Sequence, residues 1–191
     1  MHVTSAAPVR FTRSHGFSLV EVLVAMTILI VAVTALAQLS SVSARANANA
    51  KATTFASMLA AQKMEQLRAL TWGFDAVGAP LSDLTTDITV FPPQAGSGAG
   101  LSLSPAGALG DNSAGYCDFL DASGTSLGGG TTPPAGAVFV RRWSIEPMQS
   151  NHAHTLALQV LVTRVRHHPG GVADILPDDT WMVTVRTRKA A

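Results

Sequence analysis

The sequence predicts an α+β protein in which one long N-terminal helix packs on a small antiparallel sheet. Three observations predict it. Between Phe17 and Trp72 there is neither glycine nor proline, and the good helix formers Ala, Leu, Met, Gln, Lys and Glu are abundant there. Toward the C-terminus, three segments alternate residues with the period of two that marks a strand. Between these regions, the stretch from Gln94 to Gly136 holds 11 of the 16 glycines and reads as loop.

The helix is expected over residues 17–72, roughly 84 Å long at about 1.5 Å per residue. It has two halves. From Val22 to Ala44 no charged residue occurs, and about 20 such residues suffice to cross the hydrocarbon core of a bilayer. The chain is 47% hydrophobic and 13% charged. That apolar excess sits in residues 17–44, because later apolar runs are short and alternating. A single membrane segment follows. Residues 45–72 are amphipathic: Leu59, Met64, Leu67 and Leu70 share an arc into which Lys63 intrudes, while Lys51, Gln62, Glu65 and Arg68 lie mostly opposite. That arc is expected to pack under the sheet, and Gly73 with Gly78-Ala79-Pro80 ends the helix.

Residues 73–136 form a glycine-rich loop region, with a short strand expected from Asp87 to Phe91 before Pro92-Pro93. Tyr116-Cys117-Asp118-Phe119-Leu120 is read as a small buried island within it. Residues 137–191 form a meander head. Its first strand, Ala137 to Ile145, puts Phe139, Trp143 and Ile145 on one side. The second, Thr155 to Val165, puts Leu156, Leu158, Val160 and Val162 on one face. In the third, Trp181, Val183 and Val185 alternate with Met182, Thr184 and Arg186. Pro169-Gly170-Gly171 and Pro177-Asp178-Asp179 punctuate the chain between the second and third.

The net charge of +1 hides an uneven distribution: six Asp lie between Asp75 and Asp121, and seven of the thirteen Lys and Arg fall at or after Arg141. Arg142, Arg164, Arg166, Arg186, Arg188 and Lys189 form a basic cluster, read as the wet face of the sheet. Contact with nucleic acid is conceivable there but unsupported by any motif. Cys117 is the single cysteine, so no intramolecular disulfide can form. His152 and His154 precede the second strand and His167 and His168 follow it, roughly 40–50 Å apart if the strand is straight. They cannot share one ion. Asp111, Asp118 and Asp121 lack the alternating spacing of a calcium loop. With no nucleophile elbow and no phosphate-binding glycine loop, an enzyme, a metal and a cofactor are not expected.

The N-terminus carries the function. Arg10, Arg13 and His15 precede the apolar run, and no acid accompanies them; such basic residues stay in the cytoplasm and send the rest outward. One reading is a secretory signal cleaved after Ala35-Leu36-Ala37, releasing a soluble binding protein or enzyme that starts at Gln38. Glu21 opposes it. A carboxylate in a membrane helix costs about 2.5–3.5 kcal/mol at the centre and less near the interface, which a disposable signal does not need. Cutting at Ala37 also splits a continuous helix.

Gly16-Phe17-Ser18-Leu19-Val20-Glu21-Val22-Leu23-Val24-Ala25 resembles the prepilin processing motif of type IV pilins and type II secretion pseudopilins. The resemblance implies cleavage between Gly16 and Phe17 by a prepilin peptidase, which leaves residues 1–16 as a leader, and N-methylation of Phe17. It implies that Glu21, fifth after the cut, serves subunit assembly by pairing with a neighbour's N-terminal amine. The alternative is an interfacial Glu21 without a partner. Leu59-Ala60-Ala61-Gln62-Lys63-Met64-Glu65-Gln66-Leu67 resembles the same region of V-type minor pilins (type IV pilus modification proteins) and I-type pseudopilins. The partners implied are the peptidase, other pilins through the N-terminal helix, the inner-membrane assembly platform and the lipid bilayer. The implied location is the inner membrane, single-pass with the head outside the cytoplasm, and then the fibre. The single cysteine departs from pilins that staple a C-terminal loop with a disulfide.

Overall fold

A computed structural model describes residues 16–150, 154–165 and 179–188. The chain divides at Asn47 into two compact units. Helix α1 runs from Leu19 to Ala69, 51 residues, starting and stopping slightly inside the expected bounds. Trp72 leaves the helix because it is recruited into a strand. In the first unit every described residue is exposed, Ile28, Leu29 and Ile30 each by more than 60%.

In the second unit α1 buries Ala52, Ala56, Leu59, Ala60, Lys63, Met64 and Leu67. These recur every three or four residues and form one stripe, as an amphipathic core helix requires. Trp72–Phe74 (β1) and Pro80–Ser82 (β2) form a small antiparallel hairpin, Trp72 opposite Ser82. Its turn is closed by Asp75, whose Oδ1 accepts from the N–H groups of Val77 and Ala79 at 3.0 and 2.7 Å. This is the local carboxylate bonding that makes Asp a turn residue.

The main sheet has five strands in the order β4-β3-β5-β6-β7. They are Cys117–Leu120 (β3), Ser126–Gly129 (β4), Phe139–Pro147 (β5), Thr155–Arg164 (β6) and Thr180–Thr187 (β7). All neighbours are antiparallel. Strands β5, β6 and β7 are the predicted meander; Val140 faces Thr163 and Leu158 faces Thr184.

Two expectations about the middle of the chain are corrected. Asp87 to Phe91 is not a strand: only an isolated bridge joins Asp87 to Gln94. The Tyr116–Leu120 island is instead a strand, β3, paired along β5 and buried at every position. A four-residue strand flanked by glycines carries too little periodicity to announce itself. Most of the glycines around it lie in turns, and eight of those between Gln94 and Gly136 have positive φ. At Gly98 the reason is space, since a Cβ there lies 2.1 Å from the backbone of Thr86 and Asp87.

The core lies between α1 and the inner face of the sheet, where Trp143, Ile145, Leu158, Val160 and Val162 are fully buried. A smaller cluster of Cys117, Phe119 and Val140 covers the other face. Hence β5 is buried from Phe139 to Ile145 on both faces.

The basic cluster is also corrected, because it is not a single wet face. Arg142 is buried and donates to Asn112 Oδ1 and Thr163 Oγ1 at 2.9 and 3.3 Å. Arg186 turns inward and donates to the carbonyls of Leu67 and Leu70 at 3.0 and 2.6 Å. Those carbonyls end α1 and lack helical partners, so a cation there satisfies both valence and dipole. Arg188 stacks between Trp72 and Phe74, 5.1 Å from each ring centre. The outward side chains of β7 are instead Trp181, Val183 and Val185, each more than half exposed. Arg166 and Lys189 lie outside the described residues. Arg186→Ala is expected to lower stability by about 1–2 kcal/mol, read as a lower urea midpoint with unchanged slope.

Candidate functional site

Gly16, Phe17 and Ser18 precede the helix, which opens when the Val22 N–H donates to the Ser18 carbonyl at 3.2 Å. The Gly16–Phe17 bond therefore lies outside regular structure. Phe17 is 82% exposed. A Cβ on Gly16 meets no atom within 4 Å among the described residues.

Glu21 stands in the first turn of α1, where backbone N–H groups lack acceptors and the helix dipole favours a carboxylate. By length and composition α1 is apolar enough to cross a membrane. Its hydroxyls are satisfied within the helix. Thr27 donates to the Val24 carbonyl and Thr34 to that of Ile30, each at 2.8 Å, so neither needs water.

Residues 11–37 match the family model of the prokaryotic N-terminal methylation motif. No curated protein and no solved structure matches the chain. The motif, the apolar helix that follows it and the α+β architecture together support a type IV pilin-like or pseudopilin-like subunit. The motif implies processing by prepilin peptidase and assembly with other pilins, and it is consistent with an inner-membrane anchor.

Sequence reasoning missed a second constellation, inside the head. Asp118 of β3 accepts two bonds from Arg141 of β5, Nε to Oδ1 at 2.9 Å and Nη2 to Oδ2 at 2.6 Å. Lys63 of α1 approaches Asp118 Oδ2 at 2.9 Å, donates to the Ile88 carbonyl at 2.6 Å and sits 4.5 Å over the Trp143 ring. Arg141 also donates to the Leu59 carbonyl at 3.2 Å and Gln62 Oε1 at 2.9 Å. All three charges are at most 3% exposed. Together they tie helix, sheet and the 88–91 segment at one point.

The available signals were Lys63 interrupting an apolar arc and Asp118 inside an apolar pentapeptide. Neither named the other. Asp118 is thus an ion-pair residue of the core and not part of a solvated loop. Among the described residues, no group of three or more His, Cys, Asp or Glu could hold a metal. His152, His167 and His168 lie outside the described residues, and His154 is exposed.

Burial lowers the Lys63 ammonium from 10.5 to about 8; Asp118 opposes that shift, Arg141 adds to it, and Asp87 opposes it weakly. The unfolded chain therefore binds a proton at Lys63 more readily between these values, and stability rises with pH across that window. Below about pH 8 both states are charged and the full cost of burial remains. The gain is on the order of 3 kcal/mol. Urea titrations from pH 7.5 to 10.5 are expected to show this rise in wild type relative to Lys63→Met, a comparison that cancels other titrating groups.

Proposed function

We propose that this chain is a V-type minor pilin, which enters or primes a type IV pilus after cleavage between Gly16 and Phe17 and methylation of Phe17. The observation that carries the reading is the methylation motif at residues 11–37, which runs into an exposed apolar helix with Glu21 in its first turn. The glycine at 16 supports it. Among the described residues no atom lies within 4 Å of a Cβ built there, and in this reading a small residue before the cut is what the peptidase recognises.

In this reading residues 1–16 are a leader and residues 17–44 cross the membrane and bundle with neighbouring subunits. Residues 45–72 dock the head, made of the 73–136 loop region and the 137–191 sheet, which sits at the fibre surface or tip. Phe17 presents its new amine, and Glu21 pairs with the amine of an adjacent subunit in a low-dielectric bundle. The inner-membrane assembly platform receives the processed subunit.

A second reading is a minor pseudopilin of type II secretion, because the Leu59–Leu67 stretch resembles I-type pseudopilins as well as V-type minor pilins. Co-purification with sheared pili separates the two. The primary test is mass spectrometry of the mature N-terminal peptide, expected to begin with methylated Phe17. A mature start at Gln38 sinks the proposal and points to a released soluble protein. Replacing Gly16 by Trp is expected to leave the basic leader attached and the subunit retained in the membrane.

A further inference from the structure

Strand β7 ends the sheet on one side, and among the described residues no strand pairs with its outer edge. The ladder shows which of its backbone groups are left over. One step beyond the Thr155–Thr187 pair, the Arg188 N–H donates to the His154 carbonyl at 2.8 Å. In an antiparallel ladder such pairs alternate with pairs whose N–H and C=O groups turn away. On the other side of β6, the Met148 N–H donates to the Thr155 carbonyl, which gives the same phase. The even-numbered residues of β7 therefore bond to β6, and Trp181, Val183, Val185 and Thr187 aim their backbone groups at the open edge. The side chains of Trp181, Val183 and Val185 are also more than half exposed.

Edge strands are commonly blunted by a proline, a lysine, a bulge or an inward charge. From Thr180 to Thr187 there is no proline or lysine, and the register with β6 is continuous. The one charge in the strand, Arg186, is drawn in to the carbonyls that end α1, so it does not bar the edge. Arg188 follows it, between the rings of Trp72 and Phe74 and 3.3 Å from the Ser82 hydroxyl. Among the described residues neither arginine has a carboxylate partner. One end of the open edge is thus cationic, and the rest is apolar.

Unpaired backbone groups in a row with alternate apolar side chains are what an added strand recognises. A second copy is not the occupant. Strand β7 runs in the same direction as α1, since Thr180 lies 3.4 Å from Ser57 and Arg186 reaches Leu67 and Leu70. Pairing β7 antiparallel with the β7 of a second copy therefore reverses the second α1. Subunits anchored side by side in one membrane cannot meet in that way, a step that rests on the function proposed above. We propose that the β7 edge takes up an extended segment of a different protein chain as a sixth, antiparallel strand, with apolar residues opposite Trp181, Val183 and Val185 and an acidic residue opposite Arg188.

The probe is a blocked, dye-labelled peptide, Glu-Thr-Thr-Val-Thr-Val-Thr-Val, titrated into the full chain in zwitterionic detergent and followed by fluorescence anisotropy. Saturable binding is expected, with slowed hydrogen exchange at the amides of Trp181, Val183 and Val185. Val183→Pro removes an N–H aimed at the open edge and keeps the bonds to β6; it is expected to weaken binding about tenfold. Lysine in place of the peptide's glutamate is expected to weaken it about threefold. Phe91→Ala, at an exposed ring near the opposite edge of the sheet, is expected to leave it unchanged. Circular dichroism verifies the fold of each variant, and exchange in wild type tests the pairing without any substitution. Absence of binding overturns the proposal, as does binding without slowed exchange at those three amides. Equal binding by Val183→Pro, or of the lysine peptide, overturns it too. Slow exchange at these amides in the free chain, deepening with its own concentration, assigns the edge to a second copy and rejects the proposal. None of these readouts depends on where the mature chain begins, so this proposal and the processing at Gly16–Phe17 fail separately.

Discussion

Asp118→Ala is expected to unfold the head at moderate temperature. The substitution leaves Lys63 and Arg141, both buried, without the carboxylate that lies 2.9 and 2.6 Å from them. Breaking a buried ion pair by removing one partner typically costs about 3–5 kcal/mol, because the remaining charge is uncompensated. Here two like charges remain. A domain is stable by only about 5–15 kcal/mol, so most or all of that margin is lost. Lys63→Met gives the contrast. It leaves a neutral, doubly bonded Asp118–Arg141 pair and removes a cation whose burial is already unfavourable. Its cost comes from the Ile88 carbonyl losing a donor, about 1–3 kcal/mol, and from the lost contacts with Asp118 and the Trp143 ring, before any gain from removing the charge. The measurement is urea unfolding of residues 45–191, followed by circular dichroism. A wild-type midpoint for Asp118→Ala, or a larger loss for Lys63→Met, rejects the network as the point that joins helix to sheet.

Glu21→Ala is expected to leave cleavage largely intact and to reduce incorporation of the subunit into the fibre by a factor of hundreds. This rests on the proposed pairing of the Glu21 carboxylate with a neighbour's Phe17 amine. Losing one partner of a pair in low dielectric costs about 3–5 kcal/mol, and every 1.4 kcal/mol or so is tenfold in association. Glu21→Gln keeps size and some hydrogen bonding but not charge, so it too is impaired. An unpaired interfacial carboxylate predicts the reverse, since its removal from an apolar helix is neutral or favourable. The assay is the amount of subunit in sheared pili at equal membrane levels. Normal incorporation of the alanine variant rejects the pairing and leaves the processing site standing.

The N-terminal features were legible because their physics is local. A residue's neighbours in sequence determine whether a helix continues, whether it is apolar enough for a bilayer and whether a carboxylate falls in its first turn. The Gly16–Glu21 spacing therefore needed no tertiary information. The same holds for β6, whose inner face of Leu156, Leu158, Val160 and Val162 is buried as its alternation implied.

Strand β3 and the turned-in arginines were not legible, for a shared reason. Cys117–Leu120 is buried on both faces, so it shows no period of two, and four residues are too few to outweigh the glycines around them. Arg186 alternates with Val185 as a wet-face residue does, and pattern alone assigns the apolar side chain to the core. The assignment reverses because β7 is the edge strand beside the end of α1, where the carbonyls of Leu67 and Leu70 need donors.

By itself, then, the sequence determined the long helix, its division into a membrane-compatible half and a docking half, the N-terminal methylation motif and the three-strand meander. Tertiary structure alone decided that β3 and β4 extend the sheet, that Asp118 leaves the loop for the core, and that Lys63 and Arg141 meet it there. The physical reason is distance along the chain. Helix propensity and hydropathy are sums over adjacent residues, whereas the charge balance of a buried site joins residues 63, 118 and 141, which no window of local sequence contains.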